Sequence, residues 1–122
     1  MSLQEIATKL VQLCNEGRAD EAMQELYSPD IVSIEAQDVA GMPARLEGLD
    51  AVVKKGEWWS ANHEVHSMTA EGPFIGNRPD QFAVLFTMDA TPVGGQRMLM
   101  SEVALYTVRD GRIVQEEFLY RA

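Results

Sequence analysis

Two glutamates that lie in apolar surroundings are the residues of this sequence best suited to chemistry. Glu35 follows the apolar run 31–34, and Glu102 lies in a strand-like stretch close to Met100 and Ala104. Burial disfavours the ionised form of a carboxyl group and raises its pKa towards the range of a useful general base. A neutral carboxyl group can instead donate a hydrogen bond to a developing oxyanion. We therefore expect proton transfer from this pair. The alternatives are a solvated carboxylate at a strand end for Glu35 and an edge or dimer-interface charge for Glu102.

Two histidines, His63 and His66, stand at the start of a predicted strand. Side chains three residues apart in a strand face opposite sides, so the pair cannot converge on one metal ion without a bulge. The sequence thus predicts no metal site. His66, which lies deeper in the strand, is the preferred general acid or base, and a structural or surface histidine is the alternative.

Large apolar side chains could line a pocket for a hydrophobic ligand, with ordinary core packing as the alternative. The chain contains seven methionines, whose flexible thioethers suit a ligand of undefined shape. The candidate lining comprises Trp58, Trp59, Phe82, Phe86, Met88, Met100, Phe118 and Tyr120. Alternation places Glu102 on the same strand face as Met100, but both faces of that strand are largely apolar, so the pattern leaves open which one is the pocket.

Hydrophobic spacing and turn signals predict helices first and strands afterwards. Ser2 and Glu5 form a capping-box pattern for a helix over 2–16, which Gly17 ends, and Asp50 is the expected cap of the third helix. Asp110-Gly111 predicts a tight hairpin turn. The predicted helices span 2–16, 19–27 and about 50–59, and the predicted strands span 31–35, 64–75, 81–91, 97–109 and 112–120, with 36–47 as a loop. This order is typical of an α+β fold, and its four C-terminal strands are expected to form an antiparallel meander.

The bulk properties limit the possible functions. A chain of 122 residues is long enough for one domain, which we expect to span 1–122. Its net charge of −9 argues against nucleic acids and anionic membranes as partners. Cys14 is the only cysteine, which excludes an internal disulfide, and its apolar neighbours predict a buried side chain. No signal peptide, membrane span, nucleophile elbow, phosphate loop or dinucleotide fingerprint is present, so we expect a cytoplasmic protein without a cofactor.

The order of elements, together with three stretches of sequence, resembles the nuclear transport factor 2-like superfamily and, within it, the SnoaL-like proteins and ketosteroid isomerases. The stretches are ELYSPDIVSIE (25–35), GLDAVVKKGEWW (48–59) and YTVRDGRIVQEEFLY (106–120). The resemblance covers nearly the whole chain. It implies three helices on a strongly curved, mostly antiparallel sheet, forming a cone with one pocket.

The resemblance also implies roles for individual residues. The isomerases carry a catalytic carboxylate five residues after an Asp that follows the second helix, and counting from Asp30 gives Glu35. Their second, protonated carboxylate in the penultimate strand corresponds to Glu102. The last strand would turn Glu116, Phe118 and Tyr120 towards the cavity. Where the isomerases place a Tyr in the first helix, this chain has Leu10, so that oxyanion donor is not shared.

Two functional classes remain open at this stage. The first is a cofactor-independent isomerase, dehydratase or cyclase that acts on a small hydrophobic carbonyl compound, with Glu35 as base and Glu102 or His66 at the enolate oxygen. The second is a non-catalytic module that binds a small molecule or dimerises. In both, apolar residues on the outer sheet face predict a homodimer.

Overall fold

The computed structural model describes residues 1–121, which form three helices and six strands. The helices are α1 (Leu3–Asn15), α2 (Ala19–Leu26) and α3 (Leu49–Asn62). The strands are β1 (Tyr27–Ile34), β2 (Arg45–Glu47), β3 (His63–Phe74), β4 (Gln81–Pro92), β5 (Met98–Arg109) and β6 (Arg112–Leu119). The predicted α+β class is confirmed.

All six strands belong to one sheet, in the order β2-β1-β6-β5-β4-β3. The strands β3 to β6 form the predicted antiparallel meander, while β1 lies parallel to β6 and antiparallel to β2. The sheet is therefore mixed, and it is not closed. The parallel pairing of β1 with β6 brings the end of the first strand beside the last strand, so residues that are about 80 apart in sequence become neighbours on one face.

The helices pack on the sheet and bury its inner face. Helix α1 contacts β3 and β4, and α3 contacts β1, β2 and β3. The α1 capping box forms as predicted, because Ser2 and Glu5 exchange side-chain and backbone hydrogen bonds. The core between the two layers includes Ile6, Leu10, Leu26, Ile31, Phe82, Val84, Ala104, Tyr106 and Ile113, and Cys14 is buried as expected. Across residues 1–121, no helix has the length and apolar character required to cross a membrane.

The hairpin between β5 and β6 turns as the sequence predicts. Asp110 and Gly111 both have positive φ, at 53° and 75°, which is the backbone conformation of a type I′ turn. Asp tolerates this left-handed region and Gly enters it without steric cost. The turn fixes the pairing of β5 with β6 and hence which side chains of β6 face the helices.

The main differences from the predicted elements concern β1, β2 and the start of α3. Strand β1 begins at Tyr27 and not at residue 31, because Tyr27 already pairs with Ile113 before a bulge. The short strand β2 lies within the predicted loop and is held by pairing with β1. Helix α3 begins after Gly48, which has a φ of 93° and is the N-cap, so Asp50 lies in the first turn instead of capping the helix.

Candidate functional site

A cavity of about 1340 Å³ lies between the helices and the inner face of the sheet. Eleven of the twelve residues selected from the sequence as catalytic or ligand-binding candidates line it: Glu35, Glu102, His66, Trp58, Trp59, Phe86, Met88, Met100, Glu116, Phe118 and Tyr120. Phe82, the twelfth, is 1% exposed in the core. The fold thus gathers these side chains around one space, although they come from the strands β3 to β6, from α3 and from the positions that follow β1 and β6.

The strand register explains how Glu102 comes to line the cavity. In the pairing of β4 with β5, Glu102 lies opposite Phe86, and Met100 lies opposite Met88. Tyr106, on the same face of β5, is fully buried against the helices. Residues of one strand at even spacing share a face. The face that holds Glu102 is therefore the inner one, a choice that alternation alone left open.

Glu35 is held at the cavity wall by two hydrogen-bond donors. Lys55 Nζ lies 2.9 Å from Glu35 Oε2, and the Tyr120 hydroxyl donates to Oε1 over 2.8 Å. The backbone N–H of Glu35 donates to the Ala44 carbonyl over 2.8 Å, which fixes the chain just beyond β1. The side chains of Lys55 and Glu35 are only 14% and 15% exposed, so their ion pair is only weakly screened by water. The ion pair and the hydrogen bond from Tyr120 fix the position of the Glu35 carboxyl group in the cavity wall.

Lys55 is a site residue that was not selected from the sequence. It lies on α3 between Val52 and Trp59, at the i, i+3, i+7 spacing that turns one helix face towards the sheet. A lysine in such an apolar row is the signal that could have identified it. Its ammonium group also donates to Ser33 Oγ over 2.6 Å and lies 5.2 Å from the centroid of the Phe118 ring.

Glu116 is the fully buried carboxyl group behind this pair. Ser33 donates to Glu116 Oε2 over 2.7 Å, and the Tyr27 hydroxyl contacts Oε1. Because Ser33 accepts its other hydrogen bond from Lys55, its own proton is directed to Glu116. Burial raises the pKa of Glu116, while the hydrogen bond from Tyr27, the positive charge of Lys55 and the hydrogen bond from Ser33 act in the opposite direction. A continuous hydrogen-bonded chain thus connects the core to Glu35.

Glu102 differs from the other two glutamates because no hydrogen bond holds its carboxyl group in the described part of the chain. Its pKa is raised from 4.5 to about 7, chiefly by burial and also by the negative charge of Glu35, against the opposing effect of Lys55. Burial likewise raises the pKa of Tyr120 to about 12, so its hydroxyl remains a donor at neutral pH. The cavity therefore contains one carboxylate paired with a cation and one carboxyl group that is largely protonated below pH 7.

The two histidines occupy different environments. His66 is exposed at a bulge in β3 between Val65 and Ser67, and its Nε2 lies 2.8 Å from the Thr91 hydroxyl. His63 is half-buried, with Nδ1 2.8 Å from the Trp59 carbonyl oxygen and its ring stacked on the Trp59 ring at 4.1 Å between centroids. Both rings line the cavity. Within residues 1–121, no group of three or more His, Cys, Asp or Glu side chains could hold a metal ion.

Comparison with known proteins shows the family. Residues 1–120 match the SnoaL-like domain. A candidate SnoaL-like polyketide cyclase from Mesorhizobium loti is 40% identical and superimposes with a TM-score of 0.90, over 98% of this chain and 100% of the other. None of the curated proteins gives a significant match.

More distant structures share the fold. A Mycobacterium tuberculosis protein solved in complex with estradiol-17β-hemisuccinate is 20% identical, with a TM-score of 0.75 over 99% of this chain and 95% of the other. A Xanthomonas campestris protein of unknown function with a cystatin-like fold is 15% identical, with a TM-score of 0.77 over 98% of this chain and 90% of the other. Together with the family match over 1–120, these similarities show that the chain belongs to the SnoaL-like domain family and has the cystatin-like fold of the nuclear transport factor 2-like superfamily.

Proposed function

We propose that the protein is a cofactor-independent enzyme of the isomerase, dehydratase or cyclase type, which moves a proton on a small hydrophobic carbonyl compound. The observation that carries the proposal is that two glutamates of the cavity have different environments. Glu35 is paired with Lys55, whereas Glu102 has no hydrogen-bond partner in the described residues and a pKa of about 7. One group can accept a proton while the other donates a hydrogen bond, as enolisation requires.

In the proposed reaction, Glu35 removes a proton from the carbon next to the substrate carbonyl. The electron pair of the broken C–H bond forms the enolate, and the protonated Glu102 donates a hydrogen bond to the enolate oxygen. Glu35 then returns the proton to another carbon of the substrate, or to the leaving oxygen in a dehydration. Proton and electrons balance without a redox partner or a cofactor.

Lys55 and Tyr120 have a supporting role in this scheme. Both hold the Glu35 carboxyl group by direct hydrogen bonds, which limits its rotation and orients it for the proton transfer. By the resemblance, Leu10 stands where the isomerases carry a tyrosine donor, and the Tyr120 hydroxyl of this cavity donates to Glu35.

The substrate class follows from the walls of the cavity. Its lining includes the half-buried Trp58 and Phe118, the buried Phe86 and a row of methionines on β3, β4 and β5. Aromatic and thioether surfaces bind flat apolar molecules through burial and ring contacts. We therefore propose a hydrophobic ring compound with an enolisable ketone as the substrate.

The competing function is a binding module without catalysis. It is favoured by one observation, namely that both Glu35 oxygens already accept hydrogen bonds, one from Lys55 and one from Tyr120. Both oxygens are thus already occupied by donors of the protein, so a substrate proton would have to compete with them.

The enzyme proposal predicts that the protein exchanges α-protons of ketones with solvent. A panel of hydrophobic cyclic ketones, including 2-tetralone, would be incubated in deuterium oxide and followed by NMR. We expect deuterium incorporation next to the carbonyl, reduced by about a hundredfold or more in Glu35→Gln.

Glu64→Gln, at an exposed glutamate of β3, is the control and should exchange at the wild-type rate. Equal exchange in wild type and Glu35→Gln would contradict the assignment of the base. Binding of the ketones without any exchange in the wild type would favour the binding module.

Glu102 also makes stability depend on pH. Because its pKa is about 7 in the folded protein and near 4.5 when unfolded, the folded state holds the proton more tightly. Its contribution to stability is therefore complete below pH 4.5 and is lost as the pH rises towards 7. Glu102→Gln cannot ionise, so between about pH 5 and pH 8.5 it should gain up to roughly 3 kcal/mol of unfolding free energy relative to wild type.

Urea unfolding at the two pH values measures this difference. Glu71→Gln, at an exposed position of β3, should follow the wild-type pH dependence. If Glu102→Gln and wild type lose stability in parallel as the pH rises, the assignment of a raised pKa to Glu102 is wrong.

We also propose that the outer sheet face pairs two copies of the chain. Val103 and Leu119 are neighbours in the β5–β6 register and are 38% and 49% exposed, and Leu85 flanks Val103 on β4. Leu99, 73% exposed, extends this apolar surface along β5. A row of exposed aliphatic side chains on β5 and β6, flanked by the half-buried Leu85 of β4, is a surface that a second copy can cover symmetrically.

Val103→Lys places a charge in the middle of this surface and should convert a dimer into a monomer. Sedimentation of the wild type and the variant at the same concentration would show the change. Asn77→Lys, in the exposed β3–β4 connection, adds the same charge elsewhere and should leave the dimer intact. A monomeric wild type, or a dimer that tolerates Val103→Lys, would contradict this interface.

A further inference from the structure

His63 has a fixed side-chain orientation but no role in the proposed proton transfer. It is the first residue of β3 and follows the last turn of α3 directly. Its ring lies flat on Trp59, with an interplanar angle of 5°, and meets the Trp58 ring edge-on at 6.1 Å between centroids. Stacking on one side and an edge contact on the other leave the ring little freedom to rotate.

The hydrogen bond of His63 determines which nitrogen carries the proton in the neutral ring. Nδ1 lies 2.8 Å from the Trp59 carbonyl oxygen, and a carbonyl oxygen can only accept. Nδ1 must therefore be the N–H, and the neutral ring keeps its lone pair on Nε2. A backbone carbonyl that fixes the tautomer in this way is a common means of presenting the other nitrogen to a ligand.

Nε2 of His63 has no hydrogen-bond partner among the described residues, while the ring lines the cavity. His66 differs in both respects, because its Nε2 already lies at hydrogen-bond distance from Thr91 and its side chain is exposed. Pockets that bind apolar molecules fix their orientation with a few polar groups of this kind.

We infer that His63 Nε2 accepts a hydrogen bond from a hydroxyl group of the ligand, and that the ligand is therefore a hydroxylated ring ketone. The ketone would lie at Glu35 and Glu102, and the hydroxyl group would lie at the Trp59–His63 wall. This inference rests on the proposed function for the ketone, but the hydroxyl contact is a property of binding and can be measured without turnover. It makes His63 a specificity-determining residue and assigns it no proton transfer.

The tautomer is tested first, without any ligand. Long-range ¹H–¹⁵N NMR of the imidazole groups at about pH 8.5, where histidine is ordinarily neutral, distinguishes a protonated Nδ1 from a protonated Nε2. His63→Phe and His66→Phe assign the two sets of signals. We expect the Nδ1–H form for His63, and an Nε2–H form would overturn the inference.

Ligand selectivity is tested with matched pairs that differ by one hydroxyl group. The pairs are 6-hydroxy-2-tetralone with 2-tetralone, and 4-(4-hydroxyphenyl)cyclohexanone with 4-phenylcyclohexanone, which place the hydroxyl group at two distances from the ketone. Dissociation constants would be measured by calorimetry. We expect the hydroxylated member of at least one pair to bind the wild type about fivefold more tightly, as one additional hydrogen bond typically gives.

His63→Phe keeps the stacked ring and removes the acceptor, so it should abolish the preference while still binding the deoxy compound. His66→Phe should keep the preference. The inference is overturned if neither pair shows a preference, if neither pair binds, or if His63→Phe retains the preference. Because these readouts are affinities, they require no turnover, and a failure of the proposed catalysis is distinguishable from a failure of this contact.

Discussion

The ion pair between Lys55 and Glu35 is the interaction on which the site depends. It joins α3 to the end of β1 in a position where both side chains are about 15% exposed. Removing two charges from water costs several kcal/mol per ion unless further hydrogen bonds compensate. Here the compensation comes from Ser33 and Tyr120, and Ser33 in turn is held by the buried Glu116. The electrostatics of the neighbouring glutamates follow from the position of the Lys55 ammonium group.

Lys55 stands in a different relation to each of the three glutamates Glu35, Glu102 and Glu116, so their carboxyl groups are not equivalent. Glu35 forms an ion pair with Lys55, whereas Glu116 is connected to Lys55 through the hydroxyl group of Ser33. Glu102 is left with burial and the repulsion of Glu35, and its pKa rises to about 7. The same inner face carries the aromatic and methionine side chains, so the polar groups are set in a mostly apolar wall. Glu35 and Glu102 are thus chemically different because Lys55 pairs directly with only one of them.

Much of the fold could be predicted from the sequence because its signals are local. The capping box of α1, the glycine after it and the Asp110-Gly111 turn each specify a backbone conformation within a few residues. The α+β class followed from the order of these elements, and the family resemblance is confirmed by the match over 1–120. The start of β1 and the three-residue β2 were missed because pairing with distant strands, not local preference, makes them strands.

The sequence predicted which residues line the cavity better than it predicted which of them contact each other. Glu35, Glu102 and the aromatic lining were selected from their apolar surroundings and the resemblance, and they do line one cavity. Lys55 was not selected, because a lysine on a helix ordinarily faces water and its partner Glu35 lies 20 residues away. His66 was preferred over His63 as the general acid or base because it lies deeper in the predicted strand. The bulge at His66 and the stacking of His63 on Trp59 depend on tertiary contacts that one sequence does not reveal.

The most direct test of the account is an NMR titration of the Glu102 side-chain carboxyl carbon, observed in wild type and in Glu35→Gln. The account predicts a wild-type midpoint near 7, because burial and the charge of Glu35 both favour the protonated form. In Glu35→Gln the repulsion is gone, so the midpoint should fall while remaining above 4.5, since burial still raises it. A midpoint near 4.5 in both proteins would show that Glu102 is solvated, and the division of the two glutamates into base and acid would be wrong.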